Sequence, residues 1–176
     1  MADRRHEGAS RPPRVYGGRW EVVRQLGRGG QGTAYLVRDL TTDDGEDQYV
    51  LKTLRHNRRE PRDRRAKRLE RFEREIAALN RLDLSSNIPS LIDSRVSPQG
   101  SYFVTPYAGE NLELLSDLVE PQAIMQRFRG LVDAAKFAND RGVVHRDIKP
   151  NNATVRGTAH RVWSILVYAC TTMKQD

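Results

Sequence analysis

The chain has 176 residues, of which 30% are charged, with a formal charge of +7 and a single cysteine, Cys170. A chain of this size buries about 70% of its unfolded surface, a lone cysteine excludes an intramolecular disulfide, and no apolar run reaches the ~18 residues of a membrane span. Composition therefore excludes a disulfide-stapled or membrane-embedded fold and leaves a soluble domain, with the cytoplasm as the simplest expected compartment.

In chain order, residues 1–17 read as a basic, disordered leader containing Arg11-Pro12-Pro13-Arg14 and no apolar signal region. The runs Trp20 to Leu26 and Thr33 to Val37 are rich in β-branched and aromatic residues and flank Gly27-Arg28-Gly29-Gly30-Gln31-Gly32. That pattern predicts strand, glycine turn, strand. A dinucleotide fold would need a helix N-terminus after the glycines, and none is expected here. A third strand over Gln48 to Leu54 carries Lys52 and follows the turn-rich Thr41 to Asp47.

Ala66, Leu69, Phe72, Ile76 and Leu79 recur at three- and four-residue intervals, which predicts a helix from about Arg64 to Arg81. Glu73 and Glu75 both flank this stripe, and periodicity alone does not choose between them. Strands over Ser90 to Val96 and Ser101 to Thr105 would complete a five-stranded antiparallel sheet. A second helix is predicted from Gln122 to Asp140, with Ile124, Phe128, Leu131 and Ala135 on one face and Gly142 as its stop.

The run His145-Arg146-Asp147-Ile148-Lys149-Pro150-Asn151-Asn152 follows that helix. Asp147 has the chemistry to accept a hydroxyl proton, Lys149 to neutralise phosphate charge, and Asn152 to hold Mg²⁺ through its amide oxygen. Together with the glycine run and Val50-Leu51-Lys52, it resembles a serine/threonine protein kinase domain. The resemblance implies an α+β fold with an ATP–Mg²⁺ cleft between two lobes: a small lobe over about 18–105, a hinge at 106–110 and the start of a large lobe over 111–163. It further implies that Leu26, Gly27, Gly29, Gly32 and Ala34 cover the nucleotide, and that Lys52, braced by Glu75 in preference to Glu73, grips the α- and β-phosphates. The carbonyl of Pro106 and the N–H of Ala108 would bind adenine, with Thr105 behind the pocket. His145 and Arg146 take bracing roles. The implied reaction is transfer of the ATP γ-phosphoryl group to a Ser or Thr hydroxyl of a protein substrate.

The resemblance spans about Gly18 to Trp163 and then departs. From Ile148 through Gln175 there is no Asp or Glu, so the metal-binding Asp-Phe-Gly of such kinases has no counterpart, and 164–176 reads as a divergent tail. The expectation is a partial kinase domain, weakly active or inactive, whose second helix leaves its stripe for a partner to cover. The alternative is a pseudokinase-like module that binds nucleotide or a partner without turnover. An early stop, a shifted reading frame and a degenerate paralogue would each produce such a sequence.

The charge is uneven. Residues 1–81 hold 20 Lys and Arg against 13 Asp and Glu, and Arg55 to Arg74 alone holds ten basic residues against four acidic. A solvated helix face with pairs such as Glu70 and Arg74 is the favoured reading over a nucleic-acid surface, because few aromatics interleave the arginines.

Overall fold

The computed structural model describes residues 14–42, 47–55, 59–83, 85–111, 121–146, 148–149, 152–156, 161–163 and 171–173. Strand-forming runs separated by turns produce β1 (Val15–Tyr16), β2 (Trp20–Arg28), β3 (Gly32–Asp39), β4 (Gln48–Leu54), β5 (Asp93–Arg95) and β6 (Tyr102–Pro106). They form one antiparallel sheet in the order β1-β2-β3-β4-β6-β5.

The sheet thus has a sixth strand, taken from the end of the segment expected to be a leader. The turn after β1 runs through Gly17 and Gly18 at φ of 62° and 74°, a region that costs glycine little. A Cβ on Gly17 would lie 2.3 Å from the Tyr102 hydroxyl. The Tyr16 ring packs edge-on at 5.9 Å from Tyr102. Local composition reads as leader here, whereas pairing with the adjacent β2, Val15 opposite Glu21 and Tyr16 opposite Trp20, makes it sheet. The strand expected over Ser90 to Val96 is shorter, only Asp93–Arg95.

Alternation along the strands gives the sheet two faces. Tyr35, Leu51 and Val104 pair across three strands and join Trp20, Val37 and Tyr102 in a cluster on the outer face. Leu54 and Phe103 point the other way, toward α1 (Arg62–Arg81), where they pack with Phe72 and Leu79. The outer face is fastened by two acids, the half-buried Asp93 and the buried Asp39. Trp20 Nε1 donates to Asp93 Oδ2 at 2.6 Å, and the Tyr102 hydroxyl donates to the same oxygen at 3.3 Å. Asp39, 3% exposed, accepts from Arg19 Nε and Nη2 and from the Thr41 N–H and hydroxyl.

Helix α1 begins two residues earlier than its apolar stripe predicts, after Pro61, a residue suited to a helix start. Phe72 and Leu79 are buried as the stripe predicts, whereas Ala66 is exposed and Glu75 is buried. Helix α2 (Pro121–Asp140) leaves much of its predicted stripe uncovered, as expected from the sequence. Its packed residues are Ala134 and Ala138, set against Ala78, Leu82, Ile88 and Val143, while Ile124 and Phe128 are 53% and 59% exposed. The small alanines fill this cluster and the bulkier stripe is left outward. Neither helix is long and apolar enough to cross a membrane.

Beyond the sheet, β7 (Glu110–Asn111), β9 (Thr154–Arg156) and β10 (Arg161–Trp163) form a three-stranded antiparallel sheet in the order β10-β9-β7. β8 (Val143–His145) pairs with β11 (Thr171–Met173), which also lies against α1. The strand β11 falls within the segment read from sequence as a divergent tail.

The Arg19 guanidinium, hydrogen-bonded to Asp39, holds that carboxyl well below the usual carboxylate range. A depressed native value means that the unfolded chain binds the proton more readily, so this stabilisation is present above about pH 4 and is lost as pH falls toward the native value. Replacing Asp39 with Asn is expected to lower stability at neutral pH by roughly 1–2 kcal/mol, since Arg19 is itself partly exposed and screened. Urea unfolding at several pH values should show the difference between wild type and variant closing below about pH 4.

Candidate active site

The strand register builds the site. Gly27, Ala34, Lys52 and Phe103 stand opposite one another across β2, β3, β4 and β6, so they share the face that looks toward α1. Leu26 sits at the register shift between Gln25 and Gly27, where the β2–β3 pairing breaks step. The glycine turn is closed by the Gly29 N–H donating to the Gly32 carbonyl at 2.9 Å, and its tip is tied to the end of β4 by the Arg55 N–H on the Gln31 carbonyl.

The glycines differ in what the fold asks of them. A Cβ on Gly32 would lie 1.8 Å from the Thr53 carbonyl oxygen, so strand packing alone demands glycine there. A Cβ on Gly27, Gly29 or Gly30 would meet nothing within 4 Å, and none of these three has a positive φ. The fold gives no reason for those three to be bare.

On the next strand, Lys52 turns inward. Its Nζ donates to Glu75 Oε1 at 2.6 Å and Oε2 at 2.8 Å, with residue exposures of 5% and 6%. Burial pushes the Glu75 carboxyl upward, opposed by the Lys52 charge. The same ammonium lies 5.6 Å from the centroid of Phe103, a neighbour not singled out from sequence, although strand alternation placed it on that face. Of the two candidate glutamates, Glu75 is the one facing Lys52. Glu73 is exposed.

Where β6 ends, Pro106 pairs with Tyr49 and the Tyr107 N–H donates to the Gln48 carbonyl at 2.8 Å. Thr105 and Ala108 are 2% and 1% exposed. Gly109, at φ of 90°, turns the chain into β7. In the run from His145 to Asn152, the Asn152 N–H donates to the Lys149 carbonyl at 2.9 Å, the Asn152 residue is buried and Lys149 is exposed. Asp147 lies outside the described residues.

The donor set suits a nucleotide's phosphates, with a braced ammonium and unhindered glycine backbone on one side of a sheet. For Mg²⁺ it is partial: Asn152 offers one amide oxygen, and among the described residues no group of three His, Cys, Asp or Glu side chains could hold a metal ion.

The sequence profile of the family described as "Protein kinase domain" matches residues 20–163. The chain belongs to that family. Among curated relatives of this kinase domain, CBL-interacting protein kinase 11 of Oryza sativa subsp. japonica is 30% identical over 140 residues, covering 77% of this chain and 26% of the relative. Serine/threonine-protein kinase D of Synechocystis is 29% identical over 144 residues, covering 81% and 28%. PrkC of Bacillus subtilis, also named a serine/threonine-protein kinase, is 28% identical over 143 residues, covering 78% and 21%. The chain thus spans between about a fifth and a third of the length of these relatives.

Removing Lys52 would leave the buried Glu75 carboxylate without its counter-charge. Lys52→Ala is expected to cost about 3–5 kcal/mol, whereas the paired change Lys52→Met with Glu75→Leu should recover most of it, because an apolar pair carries no desolvation penalty. Denaturant unfolding of the three proteins checks this. Gly32→Ala should also destabilise, by more than about 2 kcal/mol, because the Thr53 backbone would have to move.

Proposed function

We propose that this chain forms the nucleotide-binding part of a serine/threonine protein kinase. ATP would lie under the β2–β3 hairpin, with its phosphates toward Lys52. One observation carries the reading: a buried lysine held by Glu75 stands beside a glycine turn whose Gly27, Gly29 and Gly30 the fold itself does not require. Backbone bare of side chains lets N–H groups approach phosphate closely. Leu26 and Ala34 would border the base, and the Pro106 carbonyl and Ala108 N–H would meet the adenine edge. Small-lobe residues 18–105, the hinge at 106–110 and large-lobe residues 111–163 are the units this assignment implies.

In the transfer itself, Asp147 would accept the proton of a substrate Ser or Thr hydroxyl as that oxygen attacks the γ-phosphorus. Lys149 would neutralise charge on the transferred group. Asn152 would offer its amide oxygen to Mg²⁺, an ion that supplies charge neutralisation between phosphates when bound. The large excess of anionic charge in the transition state makes positioned cations the main contribution expected of the protein.

A second reading, nucleotide binding without turnover, is favoured by the absence of any Asp or Glu from Ile148 through Gln175. Loss of one preorganised electrostatic element commonly lowers rate by about 10² to 10³. We therefore propose that the chain on its own binds nucleotide and transfers phosphate slowly or not at all.

Gly29 supplies the sharpest test, because a side chain there meets nothing in the protein. Gly29→Val is expected to leave the melting transition almost unchanged while weakening ATP by about tenfold or more in calorimetry. Equal affinity for the two proteins would remove the hairpin from the nucleotide site. Radiolabelled transfer to a generic protein substrate, compared with Asp147→Asn, separates the two readings. Robust transfer lost in that variant would establish turnover, and matched traces would favour binding alone.

A further inference from the structure

Helix α1 carries more positive charge than its fold can use. Arg64, Lys67 and Arg71 are exposed, and none of them joins an ion pair among the described residues. Spaced at i, i+3 and i+7, they occupy one strip about 10 Å long on a helix rising 1.5 Å per residue. Arg68 falls in the same strip and pairs with Glu60, and Arg74 continues it while pairing with Glu70. Burial and the neighbouring Arg55 both lower the proton affinity of Arg68, so cations from the end of β4 and from α1 converge there.

Like charges four residues apart on a helix repel, and Arg64 with Arg68 and Lys67 with Arg71 are two such pairs. Helix stability thus disfavours the arrangement, and an anionic partner would relieve it. The chemistry of that partner is narrowed by what the helix lacks. Its one aromatic residue, Phe72, is 3% exposed, so α1 offers no platform on which unpaired bases could stack. We infer that the Arg64–Lys67–Arg71 strip is a docking surface for an acidic segment of a partner protein. The same helix holds Glu75 against Lys52, so an occupant of the strip would sit on the element that braces the nucleotide-facing lysine. The inference concerns a separate surface and stands whether or not the chain transfers phosphate.

Fluorescence anisotropy on the full chain tests it, using a short fluorescein-labelled peptide of alternating Glu and Gly at near-physiological salt. A labelled DNA duplex of matched charge serves as the competing probe. The peptide should bind, and the triple change Arg64→Glu, Lys67→Glu, Arg71→Glu should weaken it by about tenfold or more. A control that reverses three exposed cations elsewhere, Arg95→Glu, Arg129→Glu and Lys136→Glu, should weaken it much less. The neutral triple with Gln at 64, 67 and 71 should show an intermediate loss, which keeps the test decisive if the Glu triple folds poorly. Absence of peptide binding by the wild type, equal losses in the strip and control variants, or tighter binding of the duplex than of the peptide would each overturn the docking surface.

Discussion

The contact between Lys52 and Glu75 decides how the two main elements of this protein meet. A sheet and a helix could be joined by apolar packing alone, and Phe72 against Phe103, 5.3 Å between ring centroids, shows that such packing is present. The ion pair adds orientation. A carboxylate taking two hydrogen bonds from one ammonium tolerates little rotation of α1, because any turn of the helix would leave a buried charge unmet. An apolar pair would hold the same elements at least as firmly, so stability alone does not explain the charges. The proposed role of Lys52, a lysine that stays charged and aimed, would account for their presence in the interior.

Everything behind that lysine keeps β4 from moving. The strand is hydrogen-bonded on both sides, by β3 and β6, and its outer face lies in an aromatic cluster. Trp20 is wholly buried and bonded to Asp93 across 73 positions of sequence. The Arg19 guanidinium lies 4.4 Å from the Trp20 ring centroid while gripping Asp39. These bonds fasten the two edges of the sheet to its centre, so the row from Gly27 to Phe103 is presented on a rigid support. Rigidity matters for a group proposed to meet phosphate, where small misplacement carries a large penalty.

The glycine turn and the closing strand show two kinds of constraint in one small protein. Gly32 answers to the Thr53 carbonyl, an internal neighbour, whereas Gly27, Gly29 and Gly30 face open space. At the other end of the chain, β11 completes the edge of β8, the strand that leads into the run from His145 to Asn152, and touches α1 as well. An unpaired β8 would expose a row of backbone donors and acceptors. The tail thereby joins the helix bearing Glu75 to the strand bearing His145.

By itself, the sequence determined the strand–turn–strand around the glycines, the two helices to within two residues at their starts, and the presence of a lysine in the third strand, because those features rest on local periodicity and turn chemistry. Tertiary structure alone decided the rest. Glu73 and Glu75 lie nearly opposite each other around the helix axis, so periodicity leaves the choice open; the family resemblance favours Glu75, and the arrival of Lys52 from another strand puts it inside. The face of α2 that packs was decided by Ala134 and Ala138 meeting Ala78, Leu82, Ile88 and Val143, neighbours from other segments that hydrophobic spacing does not encode. Thr171–Met173 became a strand because β8, distant in sequence, offered it a free edge, whereas Val15–Tyr16 folds back on the neighbouring β2 through the turn at Gly17 and Gly18. Hydrogen bonding between segments far apart along the chain leaves no periodic trace in either segment.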